Sequence, residues 1–284
     1  MNMPHITKAQ QMTPEARIAS LTEEQRQFLS FVREGRKNPV AFCWDLLGVP
    51  LHDGQRLWLW MTTRTMLDAA FELGVRMRKW NDRPTFEGIL SKNPDSLKNI
   101  LVPSNRWGKT LVTSVKHLWY NYYKVGVRGD ARNVAATRCG TLNLSPHSNQ
   151  CEAGYQYVLD ILNGRFTYML DGSSFKNVCR IQDFLKEASV QKRTISFANN
   201  TSYKAVPTGE DQASSLAGTP YLYISYDEAA QSLHLRKELP AKIMSRLIDY
   251  GGPLDLISTP EVDKPSHQYF FHIAKLGLEC KDGW

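Results

Sequence analysis

The spacing of apolar residues changes character near residue 98, and that change divides the chain. Before it the pattern is helical. Thr22 with Gln25 makes a capping box, and Phe28, Leu29 and Val32 give the following helix one apolar face. Asn38-Pro39 opens a second helix carrying Phe42, Trp44, Leu46 and Leu47, which Gly48 stops. A long helical pattern spans 54–80 with Asp53 as its expected N-cap, and 84–95 carries connector signals. From Asn99 onward strands and helices alternate. Asn99–Val102 reads as a short buried strand, with a helix over Leu111–Lys124. Thr141–Ser145 reads as a strand, 146–150 as a turn, and the helix after it runs to about Leu162. Arg193–Phe197 and Ser202–Val206 flank Ala198-Asn-Asn-Thr201, a hairpin signal, and 207–219 is a long polar loop. Tyr221–Tyr226 is a continuous apolar run bounded by Gly218-Thr-Pro220. A helical stretch at 239–247 and a last strand, Pro253–Ile257, ending in Ser258-Thr-Pro260, complete the pattern. Such alternation predicts an α/β fold: a mostly parallel central sheet with helices on both faces, preceded by a helical region.

Composition adds bounds. The 284 residues are 42% hydrophobic and 22% charged, which is ordinary for a globular chain with a sizeable core. No apolar run approaches the roughly 20 residues a membrane helix needs, and Met1–Lys8 lacks the apolar stretch of a secretory signal. The five cysteines are odd in number and scattered, so they read as reduced thiols rather than a disulfide framework or a zinc site. A net charge of +7 suits a polyanionic partner without requiring one, and the local concentration at Arg76, Arg78, Lys79 and Arg83 fits a solvated helix end as well as a nucleic-acid contact.

Two stretches carry chemistry. Asn99-Ile-Leu-Val-Pro-Ser-Asn-Arg-Trp-Gly-Lys-Thr110 has the layout strand, polar loop, Gly-Lys-Thr, helix. This is the layout of a phosphate-binding loop, in which backbone N–H groups cradle an anion, the Lys reaches the outer phosphates and the Thr hydroxyl ligates magnesium. The usual first glycine is absent, since Pro103 stands five residues before Gly108, and a helix start with a surface Lys fits the same residues. The second stretch is the Tyr221–Tyr226 strand, ending in Asp227-Glu228. Open α/β sheets place their chemistry at the C-terminal ends of strands. There one carboxylate would hold a metal and its neighbour polarise a water, whereas a solvated helix start is the plainer alternative. Together with Lys109, the pair points to an ATPase using ATP and Mg2+.

The ordered set resembles the N-terminal ATPase domain of the large terminase subunit of tailed bacteriophages, over roughly Phe42 to Phe271. Gln55 in Leu51-His-Asp-Gly-Gln-Arg56 looks like the family's adenine-reading glutamine. Ser104-Asn-Arg-Trp-Gly-Lys-Thr110 looks like its altered phosphate loop, Tyr221–Glu228 like its metal-binding strand, and Ser258-Thr-Pro260 like its coupling motif. Leu142–Pro146 with Gln150 looks like a strand-to-turn motif shared with helicases. The resemblance implies a P-loop NTPase of the ASCE/RecA-like kind: a helical region over 1–95, an ATPase core over 96–262, and the start of a lid or linker over 263–284. It implies nucleotide binding by Gln55, Ser104, Asn105, Arg106, Trp107, Gly108, Lys109 and Thr110, and magnesium held by Thr110 and Asp227. Glu228 would activate the attacking water, Arg106 would neutralise the γ-phosphate (a surface or DNA-contacting Arg being the alternative), and Ser258, Thr259 and Pro260 would couple hydrolysis to motion. Arg138, Lys242 and Arg246 are candidates for a finger given to a neighbouring subunit. Leu216-Ala-Gly218 departs from the family, where many relatives carry an Arg. Too few residues follow the coupling motif for the family's nuclease domain, so DNA cutting is not expected. The implied setting is the bacterial host cytoplasm, with double-stranded DNA, the procapsid portal, the small terminase subunit and further copies of the chain in a ring as partners. The alternatives are a helicase-like nucleic-acid-dependent ATPase and a non-catalytic nucleotide- or anion-binding assembly module.

Overall fold

The computed structural model describes residues 19–63, 98–104, 106–125, 138–170, 172–208, 220–233, 235–239, 243–248, 250–259 and 267–278. Asn105, Pro260, Lys242, the basic cluster at 76–83, the connector at 84–95 and the loop at 209–219 lie outside the described residues.

The first helix, α1 (Glu23–Lys37), starts on the expected capping box: Gln25 N–H donates to Thr22 Oγ1 at 3.2 Å, and Thr22 N–H to Gln25 Oε1 at 3.0 Å. Asn38 then caps a turn at Pro39–Ala41 that continues as a π-helical turn, Phe42–Leu46, instead of the regular helix expected. The wider winding buries Phe42, Cys43 and Leu46 and leaves Trp44 57% exposed. Helix α2 (Asp53–Thr62) departs from expectation twice. Its N-cap is His52, not Asp53: the His52 ring accepts from Gln55 N–H, while Asp53 sits inside the first turn, where a carboxylate complements the helix dipole. The helix ends at Thr62, because Thr63 is extended, and the rest of the pattern expected over 54–80 lies outside the described residues. Thr62 and Thr63 donate their hydroxyls to Trp58 O and Leu59 O, both at 2.8 Å, occupying the carbonyls of the last turn.

Among the described residues seven strands form the main sheet: β1 (Lys98–Leu101), β2 (Cys139–Ser145), β5 (Leu185–Ser189), β6 (Thr194–Phe197), β7 (Thr201–Pro207), β8 (Tyr221–Asp227) and β9 (Leu254–Ile257). Their order is β1-β9-β8-β2-β7-β6-β5, parallel from β1 through β7 and antiparallel at β6 and β5. The β6–β7 hairpin is the one expected, turning through Asn200 at φ 64°. A separate hairpin, β3 (Thr167–Leu170) with β4 (Ser173–Lys176), and the strand β5 have no counterpart in the sequence reading, because these short segments show no clean alternation. Strand β1 was expected to be buried; as the sheet's edge it is only half-buried along its length. Of the helical stretch expected at 239–247, residues 240–242 lie outside the described residues; its described part ends in a 3₁₀ turn, Met244–Arg246, and a short helix at Leu235–Glu238 precedes it.

Helices α3 (Lys109–Tyr123) and α4 (Ser148–Leu162) cover one face of the sheet and α5 (Gln268–Leu278) packs on the other. The first face meets the large core of Phe42, Leu46, Trp119, Tyr155, Ile195 and Tyr203; the second buries Leu142, Leu144, Ile224, Tyr226, Leu256 and Phe270. Strands β2 and β8 are buried along their whole length, as a central parallel strand covered on both faces must be. Helix α1 is fastened to α3, since Trp119 Nε1 donates to Gly35 O at 2.8 Å and Tyr123 OH to Val32 O at 2.9 Å.

Candidate active site

Register brings the C-terminal ends of the central strands to one level. Leu101 on β1 and Asp227 on β8 both stand opposite Ile257 on β9, and Tyr226 stands opposite Leu144 on β2. Everything that leaves these strands therefore starts from one edge of the sheet. From β1 the chain turns through the loop to Gly108, which takes φ 84°, a left-handed conformation favouring glycine. Lys109 is then the first residue of α3. From β8 the chain passes through Glu228, itself left-handed at φ 52°, which turns the carboxylate back over the strand end.

The two groups meet. Lys109 Nζ donates to Glu228 Oε1, and these side chains are only 16% and 14% exposed. Lys109 Nζ also lies 3.4 Å from Thr259 Oγ1, and Ser258 Oγ donates to Glu228 Oε2 at 3.1 Å. The two hydroxyls are held at the end of β9 because Ser258 N–H donates to Leu101 O at 3.1 Å and Thr259 Oγ1 to Pro103 O at 3.3 Å. Asp227 is 9% exposed, and its Oδ1 accepts from Glu228 N–H at 3.0 Å. Burial pushes its carboxyl up to about 6, Lys109 pulls it down, and the Glu228 charge raises it further.

The loop itself is held from α2. Gln55 is 4% exposed; its Nε2 donates to Trp107 O at 3.0 Å and Gly108 O at 3.4 Å, and its Oε1 accepts from His52 N–H at 3.1 Å. The Trp107 ring packs edge-on against His52, with centroids 5.3 Å apart. Ser104 O accepts from Trp107 N–H at 3.3 Å, closing the turn. Arg106 is exposed at φ 65° and pairs with no acid among the described residues. Thr110 lies half-buried in the first turn of α3. Of the remaining candidates, Arg138 precedes β2 and so stands at the opposite edge of the sheet, while Arg246 lies in the 3₁₀ turn.

Three side chains at this edge have no role in the sequence reading. Gln231 Nε2 lies 3.4 Å from Glu228 Oε2, and its Oε1 is 3.0 Å from His147 Nε2, on the turn after β2. His52 is the third. Gln231 stands three residues beyond Glu228, a spacing that could have nominated it; His147 and His52 carry no such local signal. Ser145 does bond Gln150, within the turn the sequence marked out.

A mostly parallel sheet in which β9 lies between the loop-bearing β1 and the carboxylate-bearing β8, flanked by helices on both faces, is an α/β fold of the kind found in P-loop NTPases. Among solved structures, the large terminase of bacteriophage HK97 is similar, with a TM-score of 0.54 and 13% identity over 87% of this chain and 42% of that one. The ATPase domain of the Thermus phage P74-26 large terminase aligns at TM-score 0.48 and 12% identity, over 82% of this chain and 74% of that one. At such identities the likeness is one of fold. No protein-family model and no curated protein matches the sequence.

Proposed function

We propose that the chain is the ATPase of a viral DNA-packaging motor, coupling ATP hydrolysis to translocation of double-stranded DNA into a procapsid. The observation that carries this reading is the meeting of Lys109 with Glu228, beside Asp227, on aligned strand ends of a P-loop NTPase fold. The likeness of fold to a large terminase supports the motor reading, and with it the proposal of a homo-oligomeric ring in the bacterial host cytoplasm, docked on the portal, with the small terminase subunit as a further partner.

Phosphoryl transfer demands positioning and charge neutralisation. Loop N–H groups at Gly108 and Lys109 cradle the phosphates, and the Lys109 ammonium leaves Glu228 for the outer two. That exchange frees Glu228 Oε1 to take the proton of the attacking water, while Oε2 stays held by Ser258 and Gln231. Arg106, exposed at the loop, meets charge developing on the γ-phosphate. The Thr110 hydroxyl and the Asp227 carboxylate are hard oxygen donors of the kind magnesium takes, and a bound Mg2+ would neutralise β- and γ-phosphate charge. Ser258 meets Glu228 and Thr259 meets Lys109, contacts that support their passing the loss of the γ-phosphate on toward Pro260.

The test is steady-state hydrolysis with parallel ATP binding. Glu228→Gln keeps binding and loses turnover by on the order of 10³ or more, and Lys109→Ala loses both. Undiminished hydrolysis by either variant removes the mechanism.

A further inference from the structure

The loop's carbonyl groups have been given away. Trp107 O accepts from two side chains of the α2 entry, His52 Nε2 and Gln55 Nε2, each at 3.0 Å, and Gly108 O lies 3.4 Å from Gln55 Nε2. Every described peptide is trans, so the N–H of each peptide unit points opposite to its carbonyl. Drawing the Trp107 carbonyl toward α2 therefore turns the Gly108 N–H away from α2, while Gly108 O accepts Val112 N–H at 3.2 Å as the first bond of α3 and so aims the Lys109 N–H out of the helix N-terminus, an arrangement that receives an anion. The two donors also fix one another. His52 Nδ1 accepts from Gln55 N–H, so its proton sits on Nε2, where Trp107 O needs it; Gln55 Oε1 accepts from His52 N–H, so its amide nitrogen faces the loop. Space agrees: a Cβ on Gly108 would stand 2.3 Å from Gln55 Nε2, so the loop and the amide are in direct contact. Both hydrogens of the Gln55 amide are committed to the loop, and the side chain is buried.

We infer that His52 and Gln55 are positioning residues that pre-form the phosphate cradle before nucleotide arrives. The inference rests on reading the loop as a phosphate site. Gln55→Glu keeps the size of the side chain and the acceptor for His52 N–H but has no donor for Trp107 O or Gly108 O. His52→Asn keeps a good N-cap but cannot reach the loop. Calorimetric titration with Mg-ATP, Mg-GTP and inorganic tripolyphosphate is expected to show each variant weakening all three by one common factor, about tenfold. The KM for ATP rises by that factor with kcat held, and circular dichroism stays that of the parent chain; Gln55→Glu, which buries a carboxylate against two carbonyls, melts lower, whereas His52→Asn melts close to the parent. In the unliganded chain, amide exchange across 104–109 accelerates in both variants. Loss confined to ATP, with GTP and tripolyphosphate unaffected, would make Gln55 a base reader and overturn the inference. So would loop exchange that the substitutions leave unchanged. A parent chain that binds none of the three ligands removes the phosphate reading instead, and the exchange experiment then still judges the positioning role.

Discussion

Asp227 shows what a single buried carboxylate costs this molecule. Its pKa is raised from 3.8 to about 6, with burial the leading cause. A carboxyl raised on folding contributes stability that is fully present below its unfolded pKa and is lost as pH rises through the folded value. Without nucleotide or metal, Asp227→Asn is therefore expected to be more stable than the parent above pH 6, by about 2–3 kcal/mol, because the neutral amide escapes the desolvation of a charge. The gap should close between about pH 6 and pH 4, read from denaturant midpoints; a gap independent of pH would mean that the charge is not what Asp227 pays for. Glu228, one residue on, differs in kind: its charge is answered by Lys109, Ser258 and Gln231. The sequence placed both acids at the end of a strand. It could not say which one faces the lysine, since that depends on the left-handed turn at Glu228.

Between elements, the most consequential contact is buried under the site. Lys116 on α3 pairs with Asp255 on β9 at 2.6 Å, both side chains fully buried. Tyr223 OH and Asn99 Nδ2 donate to the same carboxylate at 2.7 and 2.8 Å, and Lys116 Nζ also donates to Thr62 Oγ1 at 2.7 Å. Five elements (α2, α3, β1, β8, β9) are thus joined through one ion pair. Burial pushes Lys116 down against the pull of Asp255. Removing one partner strands a charge, so Asp255→Ala is expected to cost about 3–5 kcal/mol, whereas the double change Lys116→Met with Asp255→Leu should recover most of it. Equal losses from the single and double variants in urea melts would show that the pair carries no such coupling. Sequence reading took 253–257 as a strand, but period alone cannot distinguish an acid inside a sheet from one beside it. The capping box of α1 and the β6–β7 hairpin were legible because both are local; β5 and the π-helical turn were not, because packing selects them.

For the whole molecule, the excess of positive charge and the motor reading meet in one measurement. If the chain works on DNA, duplex should stimulate its hydrolysis, and the stimulation should fall steeply between roughly 50 and 200 mM salt as counterion release loses its advantage. A packaging motor moves on duplex without opening it, so a strand-separation assay should show no unwinding; unwinding would turn the reading toward a helicase. Nucleotide binding with no hydrolysis, with or without duplex, would favour the assembly module. What the sequence determined by itself is the succession of elements and the residue types that end them, because capping, turn chemistry and apolar period act over a few neighbours. Tertiary structure alone decided that β9 enters between β1 and β8, that Lys109 and Glu228 share a bond, and that α2 lends two side chains to the loop. These are contacts between residues far apart in the chain, and the only thing that chooses among such pairings is which of them lets the sheet bury both faces and satisfy its polar groups at once.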